Sequence, residues 1–289
     1  MKTNKTLRIA MQGVAGCFHD AAAREYFSDS DYQIDTIGYE TFADLFDAVH
    51  CDASLLGIVA IENTIAGSLL GNYELLRGSA LTVIGEHKKR ISHVLCALPG
   101  QTLDDITEVN SHPMALRQCE QWLRHHPQLK MVEHFDTAGS ARDISGMQLK
   151  GHAAVCGEYA AELYGLNILA SGIETNKHNY TRFLIVADAA TAAEMQNAEL
   201  RPNKASVMFT LPHRQGALSR VLTILSFYDI NLSKIQSTPI IGREWEYRFY
   251  VDLTFDDFTR YRQALDAARP LTNDFRILGE YREVATPQL

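Results

Sequence analysis

The stretch LLGIVAIENT, residues 55–64, decides the architecture. Its first seven residues are apolar without a break. That is the mark of a parallel strand buried on both faces, not of a strand with one wet side. The run stops at Glu62-Asn63-Thr64, and AGSLLGNYELLRG (66–78) follows as a helix. A polar tip on a buried strand, with a helix next, is where an open α/β sheet makes its ligand contacts. Asn63 is the better ligand candidate there, because its amide both donates and accepts. Glu62 reads equally as a ligand contact or as a structural residue, a helix cap or an ion-pair partner.

The pattern repeats outward from this strand. Upstream, residues 7–12 alternate as a first strand, Gly13-Val14-Ala15-Gly16 turns, and FHDAAAREYF is an Ala-rich helix. The spacing is GxxG, not GxGxxG, so a dinucleotide site is not indicated. YQIDTIGY is a second strand, and Thr41 caps the next helix. Downstream, LTVIGEH and RISHVLCALP are strands, the latter entering a second lobe. DITEVNSH ends at Ser111, and Pro113 opens a helix carrying Gln118 two turns on. Ser111 is thereby placed at a helix N-terminus, where an anion is favoured. LKMVEHF leads to Asp136-Thr137 and another helix. HNYTRF (178–183) then turns a polar loop into an apolar strand, setting the hydroxyl of Thr181 beside the cation of Arg182.

After a polar, Ala-rich stretch the pattern changes. ASVMFTLP, GALSRVLTILSFYD, INLSKIQSTP, EWEYRFYVDLTF, DFTRYRQALDAARP and NDFRILGEY give βαββαβ, the ferredoxin-like split βαβ. The expected fold is α/β: residues 1–190 as two lobes with a cleft between them, 191–203 as a linker, and 204–289 as an α+β domain. Such a sheet is expected to leave one face and an edge free for a second copy.

The chain has 289 residues and a formal net charge of −8. An acidic balance argues against nucleic acid or an anionic membrane surface as partner. No apolar run is long enough to span a bilayer. The N-terminus reads as a first strand and not a signal peptide, which suggests a cytoplasmic protein. The five cysteines are scattered and lack CxxC spacing, so neither a disulfide framework nor a zinc site is expected.

GVAGCFHDAA from Gly13, AIENTIAGS from Ala60, Gly85-Glu86, SHPMALRQC from Ser111, the Thr137 turn and NYTRF from Asn179 stand in order along the chain. Together with the tail they resemble prephenate dehydratase followed by an ACT regulatory domain. The resemblance covers roughly residues 7–285. It implies a periplasmic-binding-protein-like pair of lobes, no metal and no cofactor. It also implies substrate contacts from Asn63, Ser111, Gln118, Thr137, Arg182 and Phe183, with Thr181 as the catalytic donor. Conversion of prephenate to phenylpyruvate, in phenylalanine biosynthesis, would follow. The tail resembles ACT domains in Gly216-Ala217-Leu218 and in Gln236-Ser237-Thr238-Pro239, where the family usually has ESRP. L-phenylalanine as effector and a homodimer or homotetramer are implied. Cys17 stands where the family commonly has Thr or Ser.

Two other readings remain open at this stage. One is a non-catalytic amino-acid or keto-acid sensor of the same fold. The other is a nucleophilic enzyme using Cys17 with His19, or Cys119 with His112.

Overall fold

A computed structural model describes residues 5–195 and 201–284. The chain starts β1 (Lys5–Gln12), β2 (Tyr32–Tyr39) and β3 (Leu55–Asn63), with β1 parallel to both of the others. A short β4 (Gly67–Ser68) folds back on β3, and β5 (Thr82–Arg90) completes the first pass. The chain then crosses to build a second sheet. It contains β6 (Val94–Ala97), β7 (Glu108–Ser111), β8 (Lys130–Glu133), β9 (His152–Cys156) and β10 (Asn167–Ser171), in the order β10-β6-β9-β7-β8. It returns as β11 (Tyr180–Ala187), which inserts antiparallel between β3 and β5. The first lobe is therefore closed by a strand that comes back from the second.

The apolar run in β3 behaves as its composition requires: every residue from Leu55 to Ile61 is buried. Thr41 caps the helix Phe42–Cys51 with a full capping box to Asp44. Gly85 is a packing glycine, since a Cβ there would lie 2.0 Å from the Tyr26 hydroxyl. One apolar cluster passes from Ile9 and Ile58 through Phe183 to Cys96 and Ala154, so the lobes share a core beneath the cleft.

The third sheet is β12 (Lys204–Thr210), β13 (Asn231–Pro239), β14 (Tyr247–Thr254) and β15 (Asn273–Tyr281), antiparallel in the order β13-β14-β12-β15. Helices Ala217–Phe227 and Phe258–Ala268 supply the two α elements. This is the expected ferredoxin-like βαββαβ. Both helices bury against Val207, Phe209 and Val251.

The other face departs from expectation. It is not free: Met208, Tyr250, Leu278 and Tyr281 join a cluster with Leu81, Val83, Val59 and Val186 of the first lobe. The approach is so close that a Cβ on Gly279 would lie 2.1 Å from the Val83 carbonyl oxygen. Of the expected linker, residues 191–195 belong to the helix Ala189–Met195, as their Ala-rich sequence favours, and residues 196–200 lie outside the described residues. Residues 285–289, at the end of the expected third domain, also lie outside them. Among the described residues, no helix is long and apolar enough to cross a membrane.

Candidate active site

A cavity of about 290 Å³ lies between the two lobes. Its lining takes Asn63, Thr181 and Phe183 from the first sheet, and Gln118 and Thr137 from the second lobe. Five of the seven residues expected at the site are thus brought together.

Strand register explains the sharpest feature. Thr181 pairs directly with Asn63 across β11 and β3. Partners in an antiparallel pair present their side chains to the same face. The Asn63 amide donates to Thr181 Oγ1 at 3.0 Å and to Asn179 Oδ1 at 2.8 Å. Its own Oδ1 accepts from the backbone N–H groups of Ile65, at 2.9 Å, and Ala66, at 2.8 Å. These bonds, with a further one from the amide to the Tyr180 carbonyl at 3.2 Å, fix which end of the amide is which. They also leave Asn63 with little to offer a ligand: it positions Thr181. Because Thr181 Oγ1 accepts from Asn63, its proton is directed elsewhere, and no acceptor for it is found among the described residues.

Gln118 is held comparably. Its Oε1 lies 2.9 Å from His93 Nε2, so the ring donates there and the Gln118 NH2 is left for the cavity. Burial pushes His93 below the ordinary histidine pKa, and its Nδ1 is buried without a partner. Thr137 opens the helix Thr137–Met147, which Asp136 caps by accepting the Gly139 N–H at 2.7 Å. Phe183 is an apolar wall, edge-on to His19 with ring centroids 5.0 Å apart.

Two expected residues lie elsewhere. Ser111 is fully buried, and its hydroxyl donates to the Val155 carbonyl at 2.6 Å. The cap of the following helix is His112, whose ring accepts the Met114 N–H. The neighbouring strand β9 has thus taken the hydroxyl that sequence assigned to a ligand. Arg182 points through the opposite face of β11. It donates to Glu86 at 2.7 Å, to Asp252, and to the Tyr281 hydroxyl at 2.9 Å. Lys204 reaches the same Glu86 at 2.9 Å. Arg182 therefore joins the first lobe to the third sheet and does not line the cavity.

Sequence reasoning missed His93 and passed over His19 except as a partner for a thiol. Each is a single histidine in a short apolar run, with nothing local to mark it. Burial lowers His19 to about 4, so the ring is neutral at physiological pH. The unfolded chain then binds more protons than the folded one between about pH 4 and 6.5, and stability falls as pH falls through that window. His19→Asn is expected to lose less in melting temperature than the parent between pH 6.5 and 4.5. Equal losses would show that His19 is charged in the fold.

The thiols fare worse as nucleophiles. Burial pushes both Cys17 and Cys119 up to about 12. Cys17 starts the helix Phe18–Tyr26 without any side-chain cap, as its missing hydroxyl implies.

The Gly216-Ala217-Leu218 turn, with Gly216 left-handed at φ 74°, caps the helix after β12. Gln236-Ser237-Thr238-Pro239 ends β13, and Thr238 shares a cross-sheet row with Arg248 and Thr210. Both segments therefore lie at the same end of the third sheet.

A family profile described as prephenate dehydratase matches residues 9–191. The chain belongs to the prephenate dehydratase family. Arogenate dehydratase 5, chloroplastic, from Arabidopsis thaliana is 36% identical to it over 98% of this chain and 69% of its own length. A prephenate dehydratase from Arthrobacter aurescens, solved in complex with L-Phe, superposes with a TM-score of 0.81 at 28% identity, covering 96% of this chain and 90% of that one. A protein described as a novel type of quorum quenching acylase, GqqA, superposes with a TM-score of 0.82 at 30% identity, covering 95% and 97%. Membership of the prephenate dehydratase family makes the chain a dehydratase enzyme, and the interlobe cavity is the candidate site for that chemistry.

Proposed function

We propose that this chain converts prephenate to phenylpyruvate, with Thr181 as hydrogen-bond donor to the departing hydroxyl. Arogenate, the α-amino counterpart, is the other candidate substrate. The carrying observation is the Asn63 amide on Thr181 Oγ1, which leaves the hydroxyl proton for a ligand. The ring carboxylate leaves as CO2, and the electron pair of its broken C–C bond aromatises the ring. The C–O bond breaks in the same sense, and hydroxide departs hydrogen-bonded to Thr181 and becomes water with a solvent proton. The driving force is aromatisation, so the protein must mainly orient the substrate and help the oxygen leave.

The proposed binding set is neutral: the free NH2 of Gln118, the Thr137 hydroxyl, and the Phe183 wall. Preorganised neutral donors hold an anion in a dry site. No lysine or arginine lines the cavity among the described residues. A cation on the leaving carboxylate would stabilise the ground state, so its absence favours decarboxylation. An acylase would need an activated nucleophile; the buried, protonated Cys17 thiol does not supply one.

The reading takes residues 1–190 as catalytic and 204–289 as an ACT-type regulatory part that pairs with a second copy. L-phenylalanine is proposed at the Gly216 turn and the end of β13. A physical link exists from there: Glu74, on the helix Leu70–Gly78 that follows β4, accepts from Thr238 at 3.3 Å, Arg248 at 3.1 Å and Tyr250 at 2.8 Å. The purified protein is expected to form phenylpyruvate from prephenate, and millimolar L-phenylalanine to slow it. No phenylpyruvate would refute the activity; formation unaffected by phenylalanine would refute the effector assignment alone.

A further inference from the structure

We infer that Asp136 makes the cavity accept a substrate with an α-ammonium in place of the α-keto group, and that this one carboxylate sets the balance between the two. The inference rests on the dehydratase reading and names the specificity of the same site.

The charge inventory carries it. Asp136 is the one carboxylate on the described lining, and no lysine or arginine accompanies it. Two of the three lining histidines do not compensate. Burial holds His19 and His93 on the neutral side, and His112 Nδ1 accepts the Met114 N–H. His134, the remaining nearby ring, is turned to Asp143 at 3.1 Å.

A helix cap explains only part of Asp136. Oδ1 is occupied by the Gly139 N–H, and the Ala138 N–H also bonds the carboxylate. Oδ2 has no side-chain donor among the described residues and sits above the Gly13 turn, where a Cβ would come within 3.1 Å of it. Asn or Ser would cap equally well without a charge. Burial pushes the Asp136 carboxyl up, and the Gly139 and Ala138 N–H groups and the nearby His112 and His134 rings only partly offset it. Buried charges are normally paired. Here the partner would arrive with the ligand.

The consequence differs between the two substrates. Both carry two carboxylates. With a keto group beside the side-chain carboxylate, binding gathers three negative charges with no lysine or arginine on the described lining. With an ammonium there, the positive charge has Oδ2 to pair with, and the excess charge falls accordingly. A charge-assisted bond of this kind is worth roughly ten- to a hundredfold in affinity.

The experiment compares kcat/KM for prephenate and for its α-amino counterpart in the full chain, then in Asp136→Asn. The wild type is expected to use the amino substrate at a kcat/KM no lower than that for prephenate. Asp136→Asn should shift the ratio at least about 30-fold toward prephenate, through a fall on the amino substrate and a rise on prephenate. Asp136→Ser, also a capping residue, serves if the Asn variant does not fold. An unchanged ratio, or a wild type that turns over prephenate but not the amino substrate, overturns the inference alone. Turnover of neither by the wild type overturns the dehydratase reading with it.

Discussion

Thr181→Ala is expected to lower kcat by about 10²–10⁴-fold while prephenate still binds. The loss belongs to the transition state, because the hydroxyl proton is most valuable as negative charge grows on the departing oxygen. In the ground state the same group contributes one neutral hydrogen bond, about 0.5–1.5 kcal/mol, so the dissociation constant should rise by about tenfold at most. Calorimetric binding together with single-turnover rates separates the two quantities. Thr181→Ser keeps the oxygen under the Asn63 amide, at 3.0 Å in the parent, and should retain most of the activity. Near-normal turnover in the Ala variant would remove Thr181 from the chemistry. A parallel loss of binding would make it a substrate anchor instead.

Arg182→Met should act on stability. Arg182 and Lys204 balance Glu86 and Asp252 in a cluster whose four side chains are each less than a tenth exposed. Removing one cation leaves a buried carboxylate unanswered, which costs about 3–5 kcal/mol. A drop in melting temperature on the order of 10 °C follows for a chain of this size. Arg182→Lys should fall between, because an ammonium cannot repeat the three-way fork to Glu86, Asp252 and Tyr281. A variant that melts like the parent but shows a raised KM would return Arg182 to the cavity, as the sequence first suggested.

Thr181-Arg182-Phe183 also shows how far the sequence could be read. The loop-to-strand transition, the buried β3 run and the third βαββαβ unit follow from local pattern, since period and turn residues encode them. The site did not follow as directly. Adjacent strand residues point to opposite faces, so three consecutive residues cannot all meet one ligand. Thr181 and Phe183 line the cavity, while Arg182 looks away from it. Ser111 was misplaced for a related reason: its bond to Val155 depends on which strand lies alongside, a tertiary fact. His93 gains its meaning only from Gln118, 25 residues on. The covered face of the third sheet was hidden likewise, because Lys204 finds its counter-charge in Glu86, 118 residues away.

The depth of that contact bears on how the protein can be taken apart. Gly279 against Val83, and Lys204 and Asp252 against the β5–β11 pair, make the third sheet part of the wall behind Thr181. The first 190 residues cut away by themselves would expose Leu81 and Val83 and strand Glu86 and Arg182 without their partners. The third sheet of this chain is therefore not a detachable cartridge. Grafting a different one onto these lobes would require rewriting the back of β5 and β11 along with the junction.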